Sequence, residues 1–270
     1  MQAEKSRVDC GDVLELCLAD DQRDRAEGSE EVLTLRRTEE PRTRVRAPGV
    51  HTSSRDIRVE VGELPLEDGV WEVLYTDPEG GGDTPVGTRD CCFSLARNME
   101  YLGQPRQRKL QALRSPDGAL LLQVSTVAAY AEVGWVDSGT DTVTVSGRLA
   151  YTERPPGSVG AEIVARQRER SGTASAPAEI DSGQFHCEIP LKPLLEAHDP
   201  ERKRNEWDLW LRFPGDEREL RLATHADGVP AKKRKVLYPT VTPAGGNVRI
   251  RPYYTVDDTF SLLATEAKSP

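Results

Sequence analysis

The chain has 270 residues, 37% hydrophobic and 30% charged, with 19 prolines and 22 glycines, a profile that excludes a low-complexity or membrane-embedded chain. Its formal charge is −9, and the acidic excess lies in the first half: residues 1–135 hold 17 basic and 25 acidic groups, residues 136–270 hold 19 and 20. Such a chain lacks the clustered positive field that draws a protein onto a phosphate backbone, so nucleic acid is not an expected partner.

The dominant periodicity is two, the alternation of a strand with one buried face. It appears at residues 13–18, 32–35, 57–61 and 70–75, then at 143–151, 163–165, 185–189, 207–213 and 248–250. In the clearest run, Trp207, Leu209, Leu211 and Phe213 share one face. Turn-forming segments such as Gly80-Gly81-Gly82, Pro155-Pro156-Gly157 and Pro243-Ala244-Gly245-Gly246 separate the runs, supplying the backbone angles that reversals need. Helical signals are confined to 96–102 and 191–198, the latter ended by Asp199-Pro200. Neither is long enough to organise a domain, and no glycine-rich phosphate loop precedes a helix, which argues against an α/β nucleotide-binding fold. The expected class is all-β.

The two halves can be laid over each other. Residues 11–16 match 140–145, 31–37 match 161–167, 59–66 match 187–194, and the tryptophan runs 70–75 and 206–211 follow in register. Two further blocks, 108–110 with 234–236 and 116–118 with 243–246, keep the same order. Each repeat then holds seven or eight short strands around a tryptophan, the content of an immunoglobulin-like two-sheet sandwich without its disulfide. The expected fold is therefore two tandem immunoglobulin-like β-sandwich domains related by internal duplication, divided as 1–136 and 137–270.

Cys10, Cys17, Cys91, Cys92 and Cys187 form no Cys-x-x-Cys pair, which reads as reduced thiols filling structure rather than a metal or disulfide framework. No run approaches the roughly 18 apolar residues of a membrane-spanning helix, and the polar opening from Met1 to Arg7 is unlike a secretion signal. The expected location is the cytoplasm, with no cofactor and no metal.

Candidate sites lie in the second repeat. Arg249 and Arg251 share a strand face with Tyr253 and Tyr254 just beyond. Guanidinium forks match phosphate or carboxylate, and aromatic rings stack on sugars or bases, so these four form a candidate site for an anionic sugar or sugar nucleotide. Laying 248–254 over 120–126 places Leu121, Gln123, Ser125 and Thr126 at the matching positions, confining the site to the second repeat. Asp257 and Asp258 are candidate acid–base or hydroxyl-orienting groups, and equally ordinary turn residues. His225 near Asp227 is the remaining acid–base candidate, with Tyr253 as a further one. The run Lys232-Lys233-Arg234-Lys235 reads first as a solvated strand edge that resists pairing, and second as a patch for peripheral docking on an acidic membrane surface.

Residues 207–213, 233–239 and 248–262 together resemble the β-rich, non-catalytic modules attached to actinobacterial wall-polymer glycosyltransferases and CDP-glycerol glycerophosphotransferase-like proteins. The likeness covers mainly 205–264. It implies an accessory role in polysaccharide or glycoconjugate assembly, with a glycosyltransferase as partner. The catalytic α/β domains of those enzymes have no counterpart in this chain, so the resemblance does not carry their transferase activity.

Three readings follow. The first is an accessory protein that binds a carbohydrate or a partner enzyme, using the Arg/Tyr strand. The second is a small enzyme of transferase type acting on a glycosylated or natural-product substrate in a groove between the domains. The third is a structural spacer or oligomerisation module, which requires an exposed apolar patch.

Overall fold

The computed structural model describes residues 1–19, 27–76, 82–153, 160–243 and 246–266; the turns expected around Gly80-Gly81, Pro155-Pro156-Gly157 and Ala244-Gly245 lie outside them. The chain divides into two compact units, residues 1–101 with 106–128, and 102–105 with 129–270. Among the described residues nearly all regular structure is strand, and no helix is long and apolar enough to cross a membrane.

The first unit contains β1 (Gln2–Val8), β2 (Val13–Leu18), β3 (Glu30–Arg37), β4 (Arg44–His51), β5 (Asp56–Glu60), β6 (Gly69–Thr76), β7 (Asp83–Pro85) and β8 (Gly87–Thr88). Helix α1 (Leu95–Leu102) follows, then β9 (Arg108–Arg114) and β10 (Leu120–Thr126). The strands pair in the order β8-β1-β2-β5-β4-β3-β6-β10-β9, with β7 also on β6. Among the described residues of this unit, only the β1–β8 pairing is parallel.

The second unit contains β11 (Tyr130–Ser138), β12 (Thr142–Ala150), β13 (Glu162–Gln167), β14 (Thr173–Asp181), β15 (Gln184–Pro190), α2 (Lys192–Glu196), β16 (Asn205–Arg212) and β17 (Glu219–Ala223). A 3-10 turn (Lys232–Arg234), β18 (Val248–Tyr254) and β19 (Phe260–Glu266) complete it. Its order is β13-β14-β15-β12-β11-β17-β16-β19-β18, and an additional β13–β16 pairing closes the path into a barrel-like ring. The partner sequence is that of the first unit. Strand β17 pairs antiparallel with β16 and parallel with β11, a task the first unit splits between β7 and β8.

In both units a strand also passes from one pairing partner to the next at an Ala-Pro pair. In β14, residues up to Pro177 pair with β13, and from Ala178 onward they pair with β15. In β4, Ala47 and Pro48 pair with β3, and from Gly49 onward the strand also pairs with β5. Proline fits because a strand leaving one ladder has a position where an N–H is dispensable.

Each unit has its own core. Trp71 packs with Leu16, Leu35, Ile57 and Leu122; Trp207 packs with Val145, Phe185, Leu211 and Leu262. The expected alternation is present in β16, where Trp207, Leu209 and Leu211 are fully buried and Glu206, Asp208 and Trp210 are not.

Two details depart from the sequence reading. The boundary expected at 136/137 falls inside β11, which belongs wholly with the second unit. The last two repeat blocks also shift, because residues 232–234 form a 3-10 turn and 236–238 are not strand. The counterpart of β18 is β9: Arg114 faces Leu120 as Tyr254 faces Phe260. By that register the first-unit residues matching Arg249, Arg251 and Tyr253 are Lys109, Gln111 and Leu113, not members of β10.

Candidate functional site

Strand β18 alternates: Val248, Ile250, Pro252 and Tyr254 point into the core, while Arg249, Arg251 and Tyr253 share the opposite face. Tyr254 therefore stands apart from the other three. It is 4% exposed, its ring packs edge-on to Phe260, and its hydroxyl lies 3.0 Å from Thr224 Oγ1 and accepts from Tyr238 at 3.2 Å.

The register extends the Arg249–Arg251–Tyr253 face across the sheet. Tyr253 faces Ser261 on β19, and Ser261 faces Asp208 on β16. In the next row Arg251 faces Leu263, which faces Glu206, and the Arg168 backbone N–H donates to the Glu206 carbonyl. At the centre Asp208 accepts from Arg168 Nη2 at 2.6 Å, Arg221 Nη2 at 2.8 Å and Ser261 Oγ at 3.0 Å. Burial opposes its charge, but the Arg168 hydrogen bond and the Arg221 guanidinium outweigh this and hold the carboxyl below the usual range. Arg168 also donates to Glu206 at 2.6 Å, and Arg221 lies over the Trp210 ring at 5.3 Å, a cation–π geometry.

Two groups on this face are wholly without partners, and Arg249 Nε is buried without one. Arg251 makes no hydrogen bond or ion pair among the described residues. The Tyr253 hydroxyl is shielded from solvent and also lacks a partner; burial first, then the Glu206 carboxylate, push it up to about 12. Arg249 is more occupied, with Nη2 donating to the Glu266 carbonyl at 3.3 Å.

The acid–base candidates meet elsewhere, at the loop after β17, around a buried lysine. Lys232, 2% exposed, donates from Nζ to the carbonyls of Val229 at 2.7 Å and Thr224 at 2.9 Å, and its ammonium is 2.9 Å from Asp227 Oδ1. Asp227 is thus the counter-ion of Lys232. Asp258 accepts the backbone N–H of Lys232 at 2.7 Å and of Ala231 at 3.2 Å, a structural clamp on the turn. Asp257 is exposed, in the turn between β18 and β19. His225 is exposed, its ring 5.1 Å from Tyr130. Of the basic run, Lys232 is therefore core, while Lys233, Arg234 and Lys235 are exposed.

Beneath this loop lies Glu132, 2% exposed. It accepts from the Tyr130 hydroxyl at 2.8 Å and from the backbone N–H groups of His225 at 2.9 Å and Ala226 at 3.3 Å. Burial raises its pKa, aided by the charge of Asp227, and the three donors offset this only in part. A raised folded-state pKa favours the protonated form, so the stability it contributes is full below the unfolded value of about 4.3 and is lost as pH rises through the folded value. Glu132→Gln is expected to flatten that portion of the stability curve, read from urea midpoints between pH 4 and 7. Parallel curves for the two proteins would rule out Glu132 as its source.

Sequence reasoning missed Glu132 because it sits in a run, Tyr130 to Val133, that is buried at every position and so carries no period. It missed Asp208 and Arg168 because they lie 40 positions apart in the chain and meet only in the fold, where Asp208 also accepts from Arg221 and Ser261. The strand alternation that exposed Trp207 as core also placed Asp208 and Trp210 opposite it, and that signal was there to use.

No protein-family model matches the chain, and no curated protein matches it. Among solved structures it is similar to residues 217–571 of TarS from S. aureus, at 14% identity and a TM-score of 0.40, over 65% of this chain and 50% of that one. It is also similar to S. aureus TarS itself, at 14% identity and a TM-score of 0.37, over 62% of this chain and 30% of that one. This chain spans half or less of the structures it matches.

Proposed function

We propose that the chain is an accessory carbohydrate-binding protein of glycoconjugate assembly, and that its second unit holds an anionic glycan on the face formed by β18, β19 and β16. The carrying observation is a pair of groups there: the Arg251 guanidinium, which makes no hydrogen bond or ion pair among the described residues, and the Tyr253 hydroxyl, which is buried without a partner. They flank a lattice in which Arg168, Asp208 and Arg221 are already locked to one another. A locked lattice presents fixed charges, and two unspent donors beside it supply the few convergent polar groups that orient a sugar. The resemblance of 205–264 to non-catalytic modules of wall-polymer glycosyltransferases supports the assembly role.

Binding is favoured over catalysis because the carboxylates near the acid–base candidates are committed elsewhere: Asp227 to Lys232, Asp258 to the turn, Asp208 to two arginines. The same reading takes the units as two immunoglobulin-like sandwiches arisen by duplication. What supports this is the common partner order, a buried tryptophan in each and the shared Ala-Pro crossing.

The test is a thermal-shift titration with uronic-acid oligosaccharides and sugar nucleotides, on the intact chain and on Arg251→Ala and Tyr253→Phe. A ligand that prefers the folded state raises Tm. The expected result is a rise of several degrees that Arg251→Ala abolishes and Tyr253→Phe reduces. A flat panel, or a shift that survives Arg251→Ala, would remove the glycan from this face.

A further inference from the structure

On the first unit a groove of about 320 Å³ is lined by Lys5, Arg7, Arg58 and Arg97, with Glu15 and Asp56. The ladder fixes its floor. Arg7 faces Glu15 across β1 and β2, and Glu15 faces Arg58 across β2 and β5, so the two arginines flank one carboxylate at two strand spacings, roughly 9–10 Å. Lys5 and Arg7 share a strand face, with buried Ser6 between them. Arg97 comes from α1.

The local ion pairs leave many of the N–H donors of these cations unspent. Arg58 uses both terminal nitrogens, donating to Glu15 at 3.1 Å and Asp9 at 3.2 Å. Arg97 uses Nη1 alone, on Glu15 at 2.8 Å, and Arg7 uses Nε alone, on Asp90 at 3.2 Å. Lys5 has no partner among the described residues. A guanidinium carries five N–H donors and an ammonium three, so both terminal nitrogens of Arg7, Nε and Nη2 of Arg97 and the whole of Lys5 are open toward one groove. This happens in a protein whose net charge is −9.

We propose that this groove is a binding site for a phosphomonoester. Three cations on two separate elements, Lys5 and Arg7 on β1 and Arg97 on α1, offer donors from different directions. A carboxylate has one plane to present and one charge; a phosphomonoester has three strong acceptor oxygens and close to two negative charges at neutral pH. Glu15, held between Arg58 and Arg97, keeps those guanidinium groups in place, and the volume accommodates a phosphate with a small organic group. This site is independent of the glycan face on the second unit.

Isothermal titration of the intact chain with inorganic phosphate and with phenyl phosphate, a phosphomonoester without a sugar, at low ionic strength, tests it. Saturable binding of both is expected, weakened at least tenfold in the double variant Lys5→Ala/Arg97→Ala, whose side chains reach the groove from its exposed margins, and unchanged in Arg251→Ala. Circular dichroism and Tm of the double variant check that it folds. Absence of saturation in the parent, or equal affinity in the folded double variant, would overturn the proposal and leave the arginines as partners of Glu15, Asp9 and Asp90 alone. Loss in Arg251→Ala instead would move the anion to the other face.

Discussion

Gly147→Ala is expected to cost the second unit at least about 3 kcal/mol, above the common range for one added methyl because the obstacle is backbone. A Cβ at this position would collide with the Glu132 carbonyl oxygen and come within 2.7 Å of the Phe185 ring. The register explains the crowding. Gly147 faces Val133 on one side and Phe185 on the other, beside a bulge at which Gly134 is the extra residue of β11. The bulge brings the β11 backbone onto β12, and only a glycine leaves room. Because the obstructing oxygen belongs to Glu132, the substitution also disturbs the carboxylate that holds the loop after β17. Chemical denaturation should show an early transition in the variant, and limited proteolysis should cut after residue 128 before it cuts the first unit. A midpoint unchanged from the parent would mean that β11 can move away at little cost.

Lys232→Met is expected to destabilise by about 2–4 kcal/mol. Methionine keeps most of the aliphatic volume, so the loss reports the ammonium rather than a cavity. Removal of that group leaves the Thr224 and Val229 carbonyls without their donor and Asp227 without its counter-ion. Each buried acceptor left unsatisfied costs about 1–3 kcal/mol, while the half-exposed Asp227 recovers part of its loss from water. The readout is the urea midpoint with the slope unchanged. Lys233→Met, at the next residue and exposed, is the control and should shift nothing measurable. Equal effects at the two positions would show that Lys232 is held by packing alone.

The contrast between those neighbours marks how far the sequence could be read. Four consecutive basic residues look alike in a linear chain, and what sinks the first of them is a set of partners supplied by Asp227, Thr224 and Asp258. Strand content was legible wherever one face is dry and the other wet, as in β16, because burial then imposes period two. It was not legible in β11, where the Gly134 bulge interrupts the period and four successive positions are buried. That is also why the expected domain boundary fell several residues late. The repeat was legible through β6 and β16, where burial fixes residue type, and was lost beyond them, where a 3-10 turn in one unit takes the sequence place of a strand in the other. For the site, the Arg249–Arg251–Tyr253 face followed from alternation alone. The same alternation assigns Tyr254 to the core, while Arg168 and Arg221 required the fold.

The outer margin of β18 bears on how the protein behaves when crowded. Ile250 turns its N–H outward, where it donates to the Val241 carbonyl at 2.8 Å and receives the Val241 N–H at 2.9 Å. The next outward N–H would come two residues later, at Pro252, which has none. A neighbouring chain sliding alongside therefore meets one position already taken and one that offers no donor. Fibre growth by strand addition, the common hazard of an open sheet, finds no continuous template along this stretch, so the Arg249–Arg251–Tyr253 face can stand at the end of a sheet without recruiting further copies of itself.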